Sequence, residues 1–267
     1  MVRVMSAAVL VALLVITIWW LPPWATVALA VIAAALAGAE LAGLIQHLGI
    51  NVPKYWLGEV AAVGALAIAM GGMVEGGDRM LALAMLVIAV TAGATTLATS
   101  APGLEAFGRS AGMMLAATYI GLPLGTLAWV RVEAGPEALS WLLAVIAFSD
   151  SAQYYTGRLF GRHKLAPVVS PGKTVEGAVG GLIVAAIAGA LLARLWLPGA
   201  GWPTAAHLAL LLAAFGITGD LFKSLLKRSA GVKDSGTLIP GHGGLLDRVD
   251  AYLFAGPMFY IYLRFIA

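Results

Sequence analysis

Nine apolar runs take up almost the whole chain, near 4–20, 24–46, 55–73, 79–99, 111–131, 138–157, 174–197, 204–227 and 247–266. Each is close to the roughly 20 residues a helix needs to cross the hydrocarbon of a bilayer. Inside that hydrocarbon every backbone N–H and C=O must find a partner within its own segment, so runs of this length read as helices. The expected fold is therefore all-α, a polytopic membrane bundle of about nine spans. Composition closes off the soluble alternative: 61% of the residues are hydrophobic and 11% charged, where a water-soluble surface takes about a quarter charged. Little of the chain is left over for a separate soluble domain. We expect one integral membrane domain over 1–267, with 1–136 as spans that pack and admit lipid and 137–267 as the spans that carry the chemistry. The first run is read as a retained helix and not as a signal peptide, because it exceeds a typical signal core and a second run follows directly after Leu21-Pro22-Pro23.

The breaks between runs are those of a membrane protein. Trp19, Trp20 and Trp24 flank Pro22-Pro23, as amphipathic rings and a helix break do at a membrane surface. Strings such as Ala33-Ala34-Ala35 with Gly38, and Ala185-Ala186 with Gly189, suit close helix contact in lipid. The chain has no cysteine, which removes disulfides, thiolate chemistry and cysteine metal sites together. With nine spans, all of the 16 Lys and Arg except Arg79, Arg131, Arg194 and Arg264 fall on the side of the amino terminus. The positive-inside rule makes that side cytoplasmic. The loops after the sixth and eighth spans carry the asymmetry.

Charge is concentrated in residues 227–250, which hold Lys227, Arg228, Lys233, Asp234, Asp247, Arg248 and Asp250 together with His242 and five glycines. Just before them, Asp220, Lys223, Ser224 and Lys227 are spaced i, i+3, i+4 and i+7, so they line one helical face with Arg228 beside it. An acid and several cations on one stripe at a membrane edge suit a metal bound to a polyphosphate. Asp247 and Asp250, three apart at a helix start, form a second acidic stripe. The oxygen-only inventory fits Mg²⁺, which takes one or two carboxylates plus phosphate and water. Gly231, Gly236, Gly241, Gly243 and Gly244 keep the connecting backbone bare, so that N–H groups can approach phosphate oxygens. The plainer alternative is a basic loop held on anionic lipid, but such a loop has no need of two aspartates in register at a helix start.

Two further segments bear on this one. Asp150, Ser151, Gln153 and Tyr154 lie in an otherwise apolar span, where an ionisable group is either functional or a snorkelling helix end. Ser170-Pro-Gly-Lys-Thr-Val-Glu-Gly177 contains the Gly-Lys-Thr of a P-loop, but Pro167 stands where the first P-loop glycine belongs and no strand is expected before it. Lys173 remains as a phosphate contact beside a helix N-terminus. Glu40 and Glu59 read as snorkelling or paired, and His47, His163 and His207 as interfacial or loop residues.

Ser224-Leu-Leu-Lys-Arg, four residues, Lys233-Asp-Ser-Gly, and then Ile239-Pro-Gly-His-Gly-Gly-Leu-Leu-Asp-Arg-Val-Asp250 resemble, at every fixed position, the signature of the phosphatidate cytidylyltransferases. Ser149-Asp150 with Gly157-Arg158, and the segment from Ser170 to Gly177, look like two further family segments. Valine at 175 departs from the tryptophan common there, a change expected to alter packing more than chemistry. The resemblance is specific over about 148–250 and elsewhere rests on hydropathy and length. It implies transfer of CMP from CTP to phosphatidic acid, giving CDP-diacylglycerol and pyrophosphate, with Mg²⁺ and room for a second, monovalent cation such as K⁺. It implies Asp220 and Asp247 as the principal metal ligands with Asp250 nearby. Lys173, Lys223, Lys227, Arg228, Lys233 and Arg248 would meet phosphates. Ser224, Asp234, Asp150 and the loop His242-Gly243-Gly244 would take part in substrate binding.

In-line attack by a phosphate that is already ionised needs no side-chain nucleophile and hardly any general base, which agrees with this inventory. The resemblance further implies a cytoplasmic active site in a bacterial inner membrane and allows a homodimer; no nucleic-acid partner is expected. The competing readings are a CTP-dependent lipid kinase, a secondary transporter and a non-catalytic lipid platform. A transporter would gather its ionisable residues near the bilayer centre, whereas these gather toward one face.

Overall fold

The computed structural model describes residues 2–71, 73, 77–197, 199–239 and 243–267. Among them the chain is nearly all helix: α1 Val2–Trp19, α2 Pro23–His47, α3 Lys54–Met70, α4 Gly77–Thr99, α5 Leu104–Glu133, α6 Gly135–Phe160, α7 Val175–Trp196, α8 Trp202–Ser229 and α9 Leu246–Phe265. These coincide, within a turn or two, with the nine apolar runs. Five helices are long and apolar enough to cross a membrane: α2, α4 from Arg79, α5, α7 and α8. The protein is thus an all-α integral membrane protein.

The chain divides into two compact units, Met1–Glu133 with Leu226–Val249, and Ala134–Leu225 with Asp250–Ala267. In the first, α2, α3 and α5 pack on one another through small residues. A Cβ on Gly38 would lie 2.6 Å from the Leu57 carbonyl oxygen, and one on Gly58 2.8 Å from that of Ala35. Lipid gives helices no hydrophobic drive to associate, so this backbone approach supplies dispersion contact instead. Ala34, Ala37, Ala61 and Ala65 are completely buried in the same contacts. Within α5, Ala116–Gly121 widens into a π turn directly before Pro123. A proline ring has no N–H to give and crowds the carbonyl four residues back, and the wider turn accommodates both.

Buried cations tie loops to this unit. The Arg109 guanidinium donates to the carbonyls of Asn51 (2.6 Å) and Thr99 (3.1 Å), to the Ser100 hydroxyl (3.1 Å) and to Glu105 (2.6 Å). Arg131 donates to the Ile18 carbonyl at the end of α1 (2.8 Å), where the helix leaves acceptors unused.

In the second unit α6 and α7 pack closely. A Cβ on Gly177 would lie 2.8 Å from the Gln153 carbonyl, and the buried Trp141 indole donates to the Gly189 carbonyl at 3.0 Å. Between these helices the structure adds an element that the sequence reading lacks: an antiparallel hairpin of β1 Lys164–Ala166 and β2 Ser170–Thr174. The expectation that no strand precedes α7 is therefore corrected. Gly172-Lys173-Thr174 lies in β2 itself, as extended strand and not as a wrapping loop. Thr174 caps α7 by accepting from the Gly177 N–H (3.1 Å), and Glu176 holds the two residues just before the hairpin through the N–H groups of Arg162 (3.0 Å) and His163 (3.2 Å).

Candidate functional site

In the second unit, α8 presents Asp220 and Lys223 one turn apart. Gly219 makes this possible, since a Cβ there would lie 2.5 Å from the Asp250 carbonyl and 3.1 Å from Phe254, and would force α9 away. Lys223 lies between two carboxylates: its Nζ is 2.9 Å from Asp220 Oδ1 and also pairs with Asp250. The second oxygen of Asp220 pairs with Lys173, delivered by β2. Lys173 also donates to Gln153 Oε1 on α6 (3.3 Å), whose amide in turn donates to Asp150 (3.0 Å). Three aspartates and two lysines are thus linked through one glutamine.

Burial grades across the cluster. The side chains of Lys223 and Asp250 are 8% and 11% exposed, while Lys173 and Asp220 keep 22% and 23%. Charges so placed hold one another because desolvation leaves each dependent on its partners. The outer pair, Lys173 and Asp220, is the part open to an incoming ligand.

In the first unit, Asp247 stands in the first turn of α9. Its Oδ1 pairs with Lys227, and its Oδ2 accepts from the Ser235 N–H (2.9 Å), the Ser235 hydroxyl (2.9 Å) and the Gly244 N–H (3.3 Å). Glu40, on α2, reaches the same segment: it accepts from the N–H groups of Leu245 (2.8 Å) and Leu246 (2.9 Å) and from the Ser235 hydroxyl (3.0 Å). Gly243 (φ 80°) and Gly231 (φ 69°) take left-handed backbone that other residues resist.

Of the residues singled out in the sequence, Asp150, Lys173, Asp220, Lys223 and Asp250 come together in one cluster, and Lys227, Asp247 and Gly244 in the other. Ser224 is half-buried on α8; Arg228, Lys233, Asp234 and Arg248 are exposed. Arg228 donates to the Val232 carbonyl at 3.4 Å. His242 lies outside the described residues, as does Gly241. Sequence reasoning read Glu40 only as snorkelling or paired and gave Ser235 no role of its own. The partners of Glu40 are largely backbone amides, which leave no mark in side-chain spacing, and Ser235 bonds to two carboxylates far from it in sequence, Glu40 and Asp247. Gln153 was noted, but not as the link between Lys173 and Asp150.

Among the described residues, no three His, Cys, Asp or Glu side chains gather closely enough to cage an ion alone. The donor set of Asp220 and Asp250 nevertheless fits Mg²⁺, a hard cation that takes one or two carboxylates and completes its shell with water and substrate phosphate. Their oxygens already face cationic nitrogen, the position a metal would take over.

The sequence model of the cytidylyltransferase family matches residues 1–266. The chain is 43% identical over 135 residues to the uncharacterized protein YnbB of Escherichia coli K12, covering 51% of this chain and 45% of that protein. It is 40% identical over 157 residues to the phosphatidate cytidylyltransferase of Staphylococcus saprophyticus, covering 56% and 57%. The phosphatidate cytidylyltransferase of Bacillus subtilis is likewise 40% identical over 154 residues, covering 56% of each chain. The chain thus spans about half the length of the curated relatives it matches.

Proposed function

The chain belongs to the cytidylyltransferase family, and from that premise we propose that it is a nucleotidyltransferase of membrane lipid synthesis, transferring CMP from CTP to phosphatidic acid. The observation that carries this reading is the Lys173, Asp220, Lys223 and Asp250 cluster, in which every carboxylate named has a cation and every cation a carboxylate. Such a cluster is poised for exchange: phosphate oxygens can take the lysines, leaving the carboxylates to a metal.

In the reaction an oxygen of the phosphatidate phosphate forms a bond to the α-phosphorus of CTP. The bond from that phosphorus to the bridging oxygen of the β-phosphate breaks, and its electron pair leaves with pyrophosphate. Lys173 and Lys223 meet the charge on the phosphates, where water-poor surroundings raise the value of each cation. Asp150, through Gln153, and Asp220 hold Lys173 until substrate replaces them. Mg²⁺, with Asp220, Asp247 and Asp250 as its expected ligands, would supply charge neutralisation at the phosphates. The Lys227 and Asp247 pair offers the same exchange on the first unit, with Lys233, Arg228 and Arg248 as further cations and Asp234, His242, Gly243 and Gly244 on the substrate segment, while Ser224 on α8 is a substrate contact in the second unit. A monovalent second cation and a homodimer are compatible with this reading. The distribution of Lys and Arg supports a cytoplasmic face for these loops, in a bacterial inner membrane.

The products test the proposal. CTP labelled at the α-phosphate should transfer its label to lipid, and CTP labelled at the γ-phosphate should yield labelled pyrophosphate. Label passing from the γ-phosphate to lipid, with CDP released, would identify a lipid kinase and overturn the reading.

A further inference from the structure

Glu40 is a carboxylate about two turns from the end of the apolar helix α2, and its partners lie about 200 residues further along the chain. Oε1 accepts from the Leu245 N–H, and Oε2 from the Leu246 N–H and the Ser235 hydroxyl. Leu245 and Leu246 open α9, where the first N–H groups have no partner within the helix. A carboxylate at that end is favoured by the helix dipole and by charge-assisted hydrogen bonds. Glu40 therefore takes the place an anion would otherwise occupy at this terminus.

Its fit explains two glycines of the signature. A Cβ on Gly236 would stand 2.9 Å from Glu40 Oε1, and one on Gly244 would collide with Glu40 Oε2 and the Ser235 hydroxyl. Neither position has φ > 0, so a side chain there would push the Glu40 carboxylate, and at Gly244 the Ser235 hydroxyl as well, out of its hydrogen bonds. Ser235, buried at 8% exposure, stands between two acids: its hydroxyl is 3.0 Å from Glu40 and 2.9 Å from Asp247. One hydroxyl hydrogen serves one acceptor at a time, so Glu40 and Asp247 compete for it. The two acids together clamp residues 235 and 244–246, the two ends of the glycine-rich segment.

We propose that Glu40 is a positioning residue for the nucleotidyl transfer, fixing the ends of the 235–246 segment so that the groups on it are held in register with the substrate. This rests on the cytidylyltransferase reading for its link to turnover, and on the hydrogen bonds alone for the clamp. A displacement of as little as 1 Å among groups that position substrate can cost about 100-fold in rate. A residue acting this way changes turnover more than stability.

The test uses the full chain in detergent with Glu40→Gln and Glu40→Ala, and reads amide hydrogen exchange over 233–248, thermal unfolding, and kcat and KM for CTP. Glu40→Gln keeps the size of the side chain but sets an NH₂ against an N–H donor, so it separates loss of the clamp from loss of packing. The expected result is exchange at Leu245 and Leu246 faster by roughly tenfold and kcat lower by about 10- to 100-fold. Exchange in α6 and α7 should stay unchanged in the same variants. Unchanged exchange at Leu245 and Leu246 overturns the clamp. Faster exchange with undiminished kcat overturns the positioning role. A wild-type chain with no transfer activity refutes the functional reading instead, and the exchange data still decide the clamp.

Discussion

Lys223 shows how the cluster is balanced at the scale of one residue. With a side chain 8% exposed and an acid on either side, it pairs with Asp220 and Asp250 at once. Lys223→Met should therefore leave the buried Asp250 without the cation it pairs with, and Asp220 with Lys173 alone, at a cost of about 3–5 kcal/mol, the penalty for breaking a buried pair from one side. Chemical unfolding in detergent measures it, and a loss under about 1 kcal/mol, the size of an exposed pair, would contradict the assignment. The spacing of Asp220 and Lys223 made this pair legible in the sequence, because i and i+3 share a helix face whatever the tertiary structure. Asp250 as partner of Lys223, and Lys173 as partner of Asp220, were legible only as members of one charge inventory. Glu40 was not legible as a clamp, since its partners are mostly main-chain N–H groups that every residue but proline carries.

At the scale of elements, hydropathy located the helices within a turn or two because lipid imposes both their length and their apolarity. The β1–β2 hairpin escaped because its strands have three and five residues, too short for an alternating pattern, and it is fixed by contacts with α7, Thr174 at the end of β2 capping that helix and Glu176 in its first turn holding Arg162. This hairpin delivers Lys173, so the α6–α7 contact beneath it should govern the site. Gly177→Ala would place a Cβ 2.8 Å from the Gln153 carbonyl and 3.1 Å from Gly157, and is expected to cost about 1–3 kcal/mol by overpacking and to lower activity as well. Gly172→Ala meets nothing within 4 Å and should change stability by less than about 0.5 kcal/mol, although it adjoins Lys173. Thermal unfolding of the two variants side by side checks the contrast, and equal losses would refute it.

At the scale of the whole molecule, the absence of native cysteine permits a direct test of orientation. Val168, 86% exposed in the hairpin turn, and Gly199 lie beyond opposite ends of α7. Val168→Cys should react with a membrane-impermeant maleimide only from the cytoplasmic side and Gly199→Cys only from the other; the reverse pattern would invert the proposed topology. Lipid-dependent nucleotidyl transfer at the Asp220 cluster is tested most simply by pyrophosphate release from CTP and Mg²⁺ by the purified protein, with and without phosphatidic acid, beside Asp220→Asn. Release should require the lipid and fall by about 100-fold or more in a folded Asp220→Asn variant. No release by the folded wild-type protein across a range of phosphatidic acids, or undiminished release by the variant, would contradict it.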